Sequence, residues 1–241
     1  MHIPVNITED ANNKNNMKTQ ASSKAKLMLF FLFSLIIFPV IKAGNAAENT
    51  LTIAKQNIRE EIVGLNGFSW HYGFDIELKQ QVVIVSVAIN LIPASGVSRV
   101  ELSRVKPIWK KGIEQIWSNK YAIKTKSGQT YPIKVKVRFR GPKFHHSVIV
   151  RPGRGWSDEL NWNLRDTGQI VAHEFGHMLG AFDEYKRGAN DPENPVIDKT
   201  SIMTSNPKTG KSYERHYKKL EISIADQMQN EFVTVISLEG A

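Results

Sequence analysis

The chain has 241 residues, a formal net charge of +9 and no cysteine. The missing cysteines exclude disulfide staples, thiolate metal ligands and a thiolate-based inhibitory switch, so stability must come from a packed core. The positive balance favours acidic partners or surfaces without identifying one.

Residues 1–47 read as a leader. Leu27 to Ile41 is an apolar run interrupted only by Ser34 and Pro39; it follows Lys18, Lys24 and Lys26 and precedes Ala43-Gly44-Asn45-Ala46-Ala47. A positive segment, a short apolar segment and a small-residue exit make a secretory signal peptide, with cleavage after Ala46 or Ala47. The 15 residues of the run fall short of the roughly 20 that a membrane-spanning helix needs. A secreted or periplasmic protein is expected, without stable membrane insertion after cleavage. Residues 48–241, with 27 basic and 21 acidic side chains for a net +6, suffice for a single well-buried domain. Residues 48–66 are a candidate pro-segment of it.

Val82 to Leu91 is β-branched with only Ser86 and Asn90 polar, the pattern of a buried strand. Ser98 and Glu101 then have the form of a capping box, and Leu102, Val105, Trp109, Ile113, Ile116 and Trp117 recur at helical spacing to about Ser118. Pro107 makes this either a kinked helix or a helix that starts there. After a turn at Ser127-Gly128, Ile133 to Arg140 alternates apolar and basic residues, as a strand with one wet face does. A short strand is expected at Ser147 to Val150. Asp166 and Gln169 look like the cap of a helix reaching about Leu179, and Tyr213, Tyr217, Leu220, Ile224 and Met228 mark a last helix. The order predicts an α/β (α+β) domain, a mixed twisted sheet packed on helices.

The most informative stretch is Val171 to Tyr185, VAHEFGHMLGAFDEY, which places H-E-x-x-H on a segment read independently as helical. Residues four apart share a helix face, so His173 and His177 can meet one ion while Val171, Phe175, Met178 and Phe182 face the core. Zinc suits such a site, because it accepts imidazole nitrogen and works with three protein ligands plus a water. Glu174, about 100° round the helix from His173, can flank that water as general base. Gly180 suits a left-handed helix stop, and three residues on lies Asp183, a carboxylate spaced to be the third ligand. Its neighbour Glu184 is longer and competes for that role, with the spacing favouring Asp183.

At these residues the sequence resembles the metzincin metallopeptidases, whose pattern is H-E-x-x-H-x-x-G-x-x-H followed by a methionine turn. Asp183 stands where the last histidine falls, and there the chain is similar to the snapalysin branch. The resemblance implies that Met203, in Ser201-Ile202-Met203-Thr204, is the methionine of that turn beneath the metal. It also implies a metzincin-like zincin fold and a substrate lying extended along an edge strand, here between Ser147 and Asn163. Ser205 stands where some members have a tyrosine. Tyr185 is read as a packed residue first and as an oxyanion neighbour second.

Other residues take plainer readings. His145 and His146 are expected to be an exposed pair. Lys134, Lys136, Arg138 and Arg140 form a solvated strand face with no interleaved aromatics, which argues against nucleic acid. Asp191, Glu193 and Asp198 could hold calcium but read first as turn residues. Trp156 and Trp162 are core or cleft wall. Together these residues predict a secreted zinc endopeptidase acting on protein or peptide substrates with one catalytic zinc. Two alternatives stay open: a zinc-containing binding or toxin-accessory module without activity, and a zinc amidase acting on peptidoglycan peptides.

Overall fold

The computed structural model describes residues 53–227 and 232–238. The leader, residues 48–52 of the candidate pro-segment and Met228 lie outside the described residues. The buried run identified in the sequence is the central strand. It is β3 (Val82–Pro93), which pairs antiparallel with β2 (Ser69–Lys79), itself antiparallel to β1 (Gln56–Val63), and which meets the strands that follow on its other side. Residues 56–63, inside the candidate pro-segment, are the edge strand β1.

Strand β3 is long enough to serve two neighbours. Val83 to Ala88 pairs in parallel with β5 (Thr130–Arg138), and Ile89 to Pro93 pairs in parallel with β6 (His146–Arg151). The sheet therefore forks and curls. One branch continues from β5 to β4 (Tyr121–Thr125) and β8 (Val233–Ser237), and the other ends at the three-residue β7 (Asn161–Asn163), parallel to β6. A mixed α/β architecture with three α-helices results, as the sequence pattern predicts.

The first helix, α1 (Arg99–Trp117), begins at the expected capping box: Ser98 Oγ accepts from Glu101 N–H, and the Glu101 carboxylate accepts from Ser98 N–H. It runs through Pro107 without ending, which resolves the choice left open by the sequence in favour of one helix. The second, α2 (Gly168–Met178), is capped by Thr167, whose hydroxyl accepts from Ile170 N–H; the expected cap, Asp166, instead accepts from Asn163 N–H and Ser157 Oγ. The third, α3 (Lys218–Gln227), follows a 3₁₀ turn at Glu214–Tyr217.

Helices α1 and α2 touch through glycines. A Cβ placed on Gly168 would lie 2.9 Å from Gly112 Cα, and one on Gly112 would collide with the Gly168 backbone. Neither neighbour is a flexible side chain that could yield. Gly112→Ala should therefore separate the helices and destabilise the protein by about 1–3 kcal/mol, the usual cost of overpacking. Denaturant unfolding of the two proteins at one pH checks it.

The histidine pair departs from expectation. Both His145 and His146 are buried, not exposed. His145 Nδ1 accepts from Ala88 N–H and its Nε2 meets Asp75 at 3.1 Å, while His146 Nε2 donates to Gly73 O at 2.9 Å. Partners on β2 and β3, distant in sequence, replace the lost water. Burial pushes the His146 imidazole from 6.5 down to about 4, against the opposing pull of the Gly73 carbonyl. Its contribution to stability is thus complete above pH 6.5 and falls away toward pH 4, because only the unfolded chain binds the proton in that window. Acidification from pH 7 to 4.5 should cost about 2–3 kcal/mol through this ring. His146→Gln keeps the donor toward Gly73 and should lose that part of the pH slope, as read from denaturant midpoints at the two pH values.

Candidate metal centre

Three indole N–H groups pin α2 and the turn that leads into it by their carbonyls. Trp109 donates to Asp166 O at 3.0 Å, Trp117 to Ala172 O at 2.8 Å, and Trp70 of β2 to His177 O at 2.9 Å. The apolar side of the helix, Val171, Phe175 and Met178, is fully buried, with Phe182 packed against the core. Gly176 has no room for a side chain, since a Cβ there would clash with Met203 Sδ and lie 2.9 Å from Trp117 Cζ2. Met203 therefore sits directly beneath the helix segment between the two histidines.

The helix ends as the sequence predicts. Gly180 has φ +86°, Gly180 N–H donates to His177 O and Ala181 N–H to Gly176 O, the paired bonds of a left-handed helix stop. The reversal brings Ala181 O to His177, whose Nδ1 donates to it at 3.0 Å, and leads the chain to Asp183. Asp183 is held tightly: Oδ2 accepts from Ala189 N–H at 2.8 Å, its carbonyl accepts from the Asn190 side chain, and Gly188 packs so closely that any Cβ there would meet Asp183.

The outcome is convergence. Asp183 Oδ1 lies 3.3 Å from His173 Nε2 and 3.5 Å from His177 Nε2. Both imidazoles commit Nδ1–H to backbone carbonyls, His173 to Ile202 O at 2.9 Å and His177 to Ala181 O. In the neutral rings each Nε2 is then a bare lone pair, and the pair of rings faces a buried carboxylate oxygen that has no hydrogen-bond partner. Three acceptors aimed at one point call for positive charge. Burial raises the Asp183 carboxyl, but once the rings are protonated their Nε2–H groups and positive charge outweigh it and hold the group well below the usual carboxylate range. Burial likewise lowers His177, but Asp183 overrides it and the net shift is upward. His173, His177 and Asp183 could hold a metal ion, and they are the only such convergence among the described residues.

Glu184 is turned away. Its carboxylate receives Arg215 Nε at 2.6 Å and Nη2 at 2.8 Å, and meets His216 Nε2 at 3.1 Å. Burial would raise its pKa, yet Arg215 and His216 take it down to about 2. Its backbone N–H donates to Met203 O, tying the segment after Asp183 to the loop beneath the helix.

The three donors open onto a cleft of about 810 Å³. Glu174 lines it, and among the described residues its carboxylate has no partner. Burial pushes that carboxyl up to about 8; His173 opposes, while the charges of Asp183, Asp158 and Glu159 add to the rise. Tyr185 also lines the cleft, half-buried, with its ring 6.5 Å from that of His173. Burial first, then Asp183, raise its pKa, so the phenol stays protonated.

The remaining residues sort by contact. Trp162 is core, whereas Trp156 is 74% exposed at the cleft. Asp191 and Asp198 accept from Glu193 N–H and Thr200 N–H, which is turn chemistry, and Asp198 also pairs with Arg215. Phe68, Trp70 and Glu159 line the cleft without any signal in the sequence pattern. A comparison with protein-family models, with curated proteins and with solved structures finds no match to this chain.

Proposed function

We propose that the chain is a zinc-dependent peptidase of the metzincin type, with His173, His177 and Asp183 as ligands and Glu174 as general base. The observation that carries this reading is the meeting of two imidazole Nε2 atoms and one carboxylate oxygen at 3.3 and 3.5 Å on the wall of an open cleft. Donors bound at 2.0–2.1 Å to one tetrahedral zinc stand about 3.3–3.4 Å apart. Two neutral imidazoles with a carboxylate suit zinc, while calcium takes oxygen ligands. Structural zinc normally has four protein ligands; three beside a cleft leave a position for substrate, which favours a catalytic site over a purely binding module.

When bound, zinc supplies a Lewis acid that acidifies water and polarises a carbonyl. The protein supplies the rest. Ile202 O and Ala181 O fix the ring orientation and tautomer of the two histidines, and Ala189 N–H fixes Asp183. Glu174 takes the proton from the attacking water and delivers it to the leaving amine. The protonated Tyr185 is a donor on the same wall. Met203, packed under Gly176, corresponds to the methionine of the family's turn. Because the leader has the form of a signal peptide, the substrates are exported proteins or peptides.

The test is to incubate the purified protein with a mixed peptide library, with and without a zinc chelator, and to sequence the products. New amino termini that vanish with chelator support the reading. Products unchanged by chelator, or no new termini from zinc-loaded protein, would overturn it.

A further inference from the structure

The cleft is charged as well as open, and its charges are unevenly used. Asp158 and Glu159 line it, both half-buried. Asp158 is committed to the fold: Oδ1 accepts from Leu160 N–H at 2.9 Å and from the Asn161 side chain at 2.8 Å, which shapes the entry to β7. Glu159 has no such duty. Its carboxylate makes no hydrogen bond or ion pair among the described residues. The nearby cations of the cleft, Lys186 and Arg187, come from the loop after Asp183 and do not pair with it.

Glu159 is thus a half-buried residue on the cleft wall whose negative charge is answered by no cation among the described residues. The backbone beside it is fixed, because Asp158 N–H donates to Asn161 O and Asn161 N–H donates back to Asp158 O. Glu159 is therefore presented on a rigid support, as a selective contact needs to be. It stands outside the group of donors that converge on the metal position.

We propose that Glu159 is the specificity-determining residue of this cleft and receives a cationic nitrogen of the bound peptide, from a Lys or Arg side chain flanking the scissile bond or from a free amino terminus. The proposal rests on the peptidase reading for its substrate. A charge-assisted hydrogen bond in a partly desolvated cleft should favour the cationic peptide by about 10–100-fold in kcat/KM. Asp158, already saturated, positions Glu159 and does not replace it.

The experiment compares a cleaved peptide with lysine beside the scissile bond, its norleucine analogue and its glutamate analogue, each with a free and an acetylated amino terminus. The wild-type protein should favour lysine over norleucine by about 10–100-fold, Glu159→Gln should bring the ratio near one, and Glu159→Lys should favour glutamate. If the three side chains are cleaved alike while acetylation slows every peptide with the wild-type protein and none with Glu159→Gln, the cationic nitrogen is the amino terminus. A lysine preference that persists in Glu159→Gln overturns the proposal. So does an equal fall for every peptide together with weaker zinc retention, which would make Glu159 a charge partner of the ion. A second readout needs no turnover: anisotropy of the fluorescein-labelled lysine peptide on metal-free protein should show binding that weakens with salt and is lost in Glu159→Gln. Equal binding by both proteins also overturns it. Should the wild-type protein hydrolyse nothing while this binding difference holds, the peptidase reading falls and the Glu159 assignment stands.

Discussion

Asp183→Asn is expected to lower zinc affinity by well over the roughly 100-fold that marks loss of an outer partner. The substitution keeps the shape of the side chain and an oxygen for Ala189 N–H, so the loop that Asp183 anchors should persist. What disappears is the charge that faces two lone pairs at 3.3 and 3.5 Å. Glu184→Gln is the matched control, adjacent in sequence and equally buried. It removes half of an ion pair with Arg215, which is 36% exposed and keeps Asp198 as a partner, so the expected loss is about 1–3 kcal/mol of stability. Zinc should be retained, with at most about 10–100-fold weakening. Equilibrium dialysis of the three proteins separates the roles. Loss of zinc from Glu184→Gln with retention by Asp183→Asn would move the ligand by one residue.

Glu174→Gln should behave in the opposite way, binding about one zinc per chain while hydrolysis falls about 10²- to 10⁴-fold, the usual contribution of a general base. The residue lines the cleft and has no partner among the described residues, so replacing its carboxylate by an amide disturbs no hydrogen bond. The change also relieves a buried group that burial has pushed up to about 8. The folded protein should accordingly be no less stable than wild type near neutral pH. Steady-state kinetics on one defined peptide, alongside the metal content of the same sample, gives both numbers. Retained zinc with unchanged kcat would remove Glu174 from the mechanism.

Local patterns were readable where one stretch carries both the element and its chemistry. The helix with His173, Glu174 and His177, its stop at Gly180 and the capping box at Ser98 all depend on residues within a few positions of one another, and the structure has each of them. The spacing that favoured Asp183 over Glu184 agrees with the convergence. What the sequence hid was non-local. Strand β1, QNIREEIV, is mostly exposed and turns inward only Ile62 and the half-buried Ile58, and β2 is buried on both sides around Gly73 and Asp75, so neither alternates as a half-buried strand does. His145 and His146 looked like surface residues because their partners, Ala88 N–H, Asp75 and Gly73 O, lie about 57 to 73 positions earlier. The same distance hid Trp70, whose indole reaches His177 O from 107 positions away. Thr167 took the cap from Asp166 because the aspartate had a better use in closing the turn with Asn163 and Ser157.

The most direct measurement of the central claim is a stepwise zinc titration of chelator-stripped protein with peptide hydrolysis recorded at each addition. Activity should be absent at the start, rise in proportion to zinc and level off at one ion per chain, with Asp183→Asn remaining flat over the same range. Hydrolysis that is present before any zinc is added, or that fails to appear once one zinc per chain is bound, would contradict it.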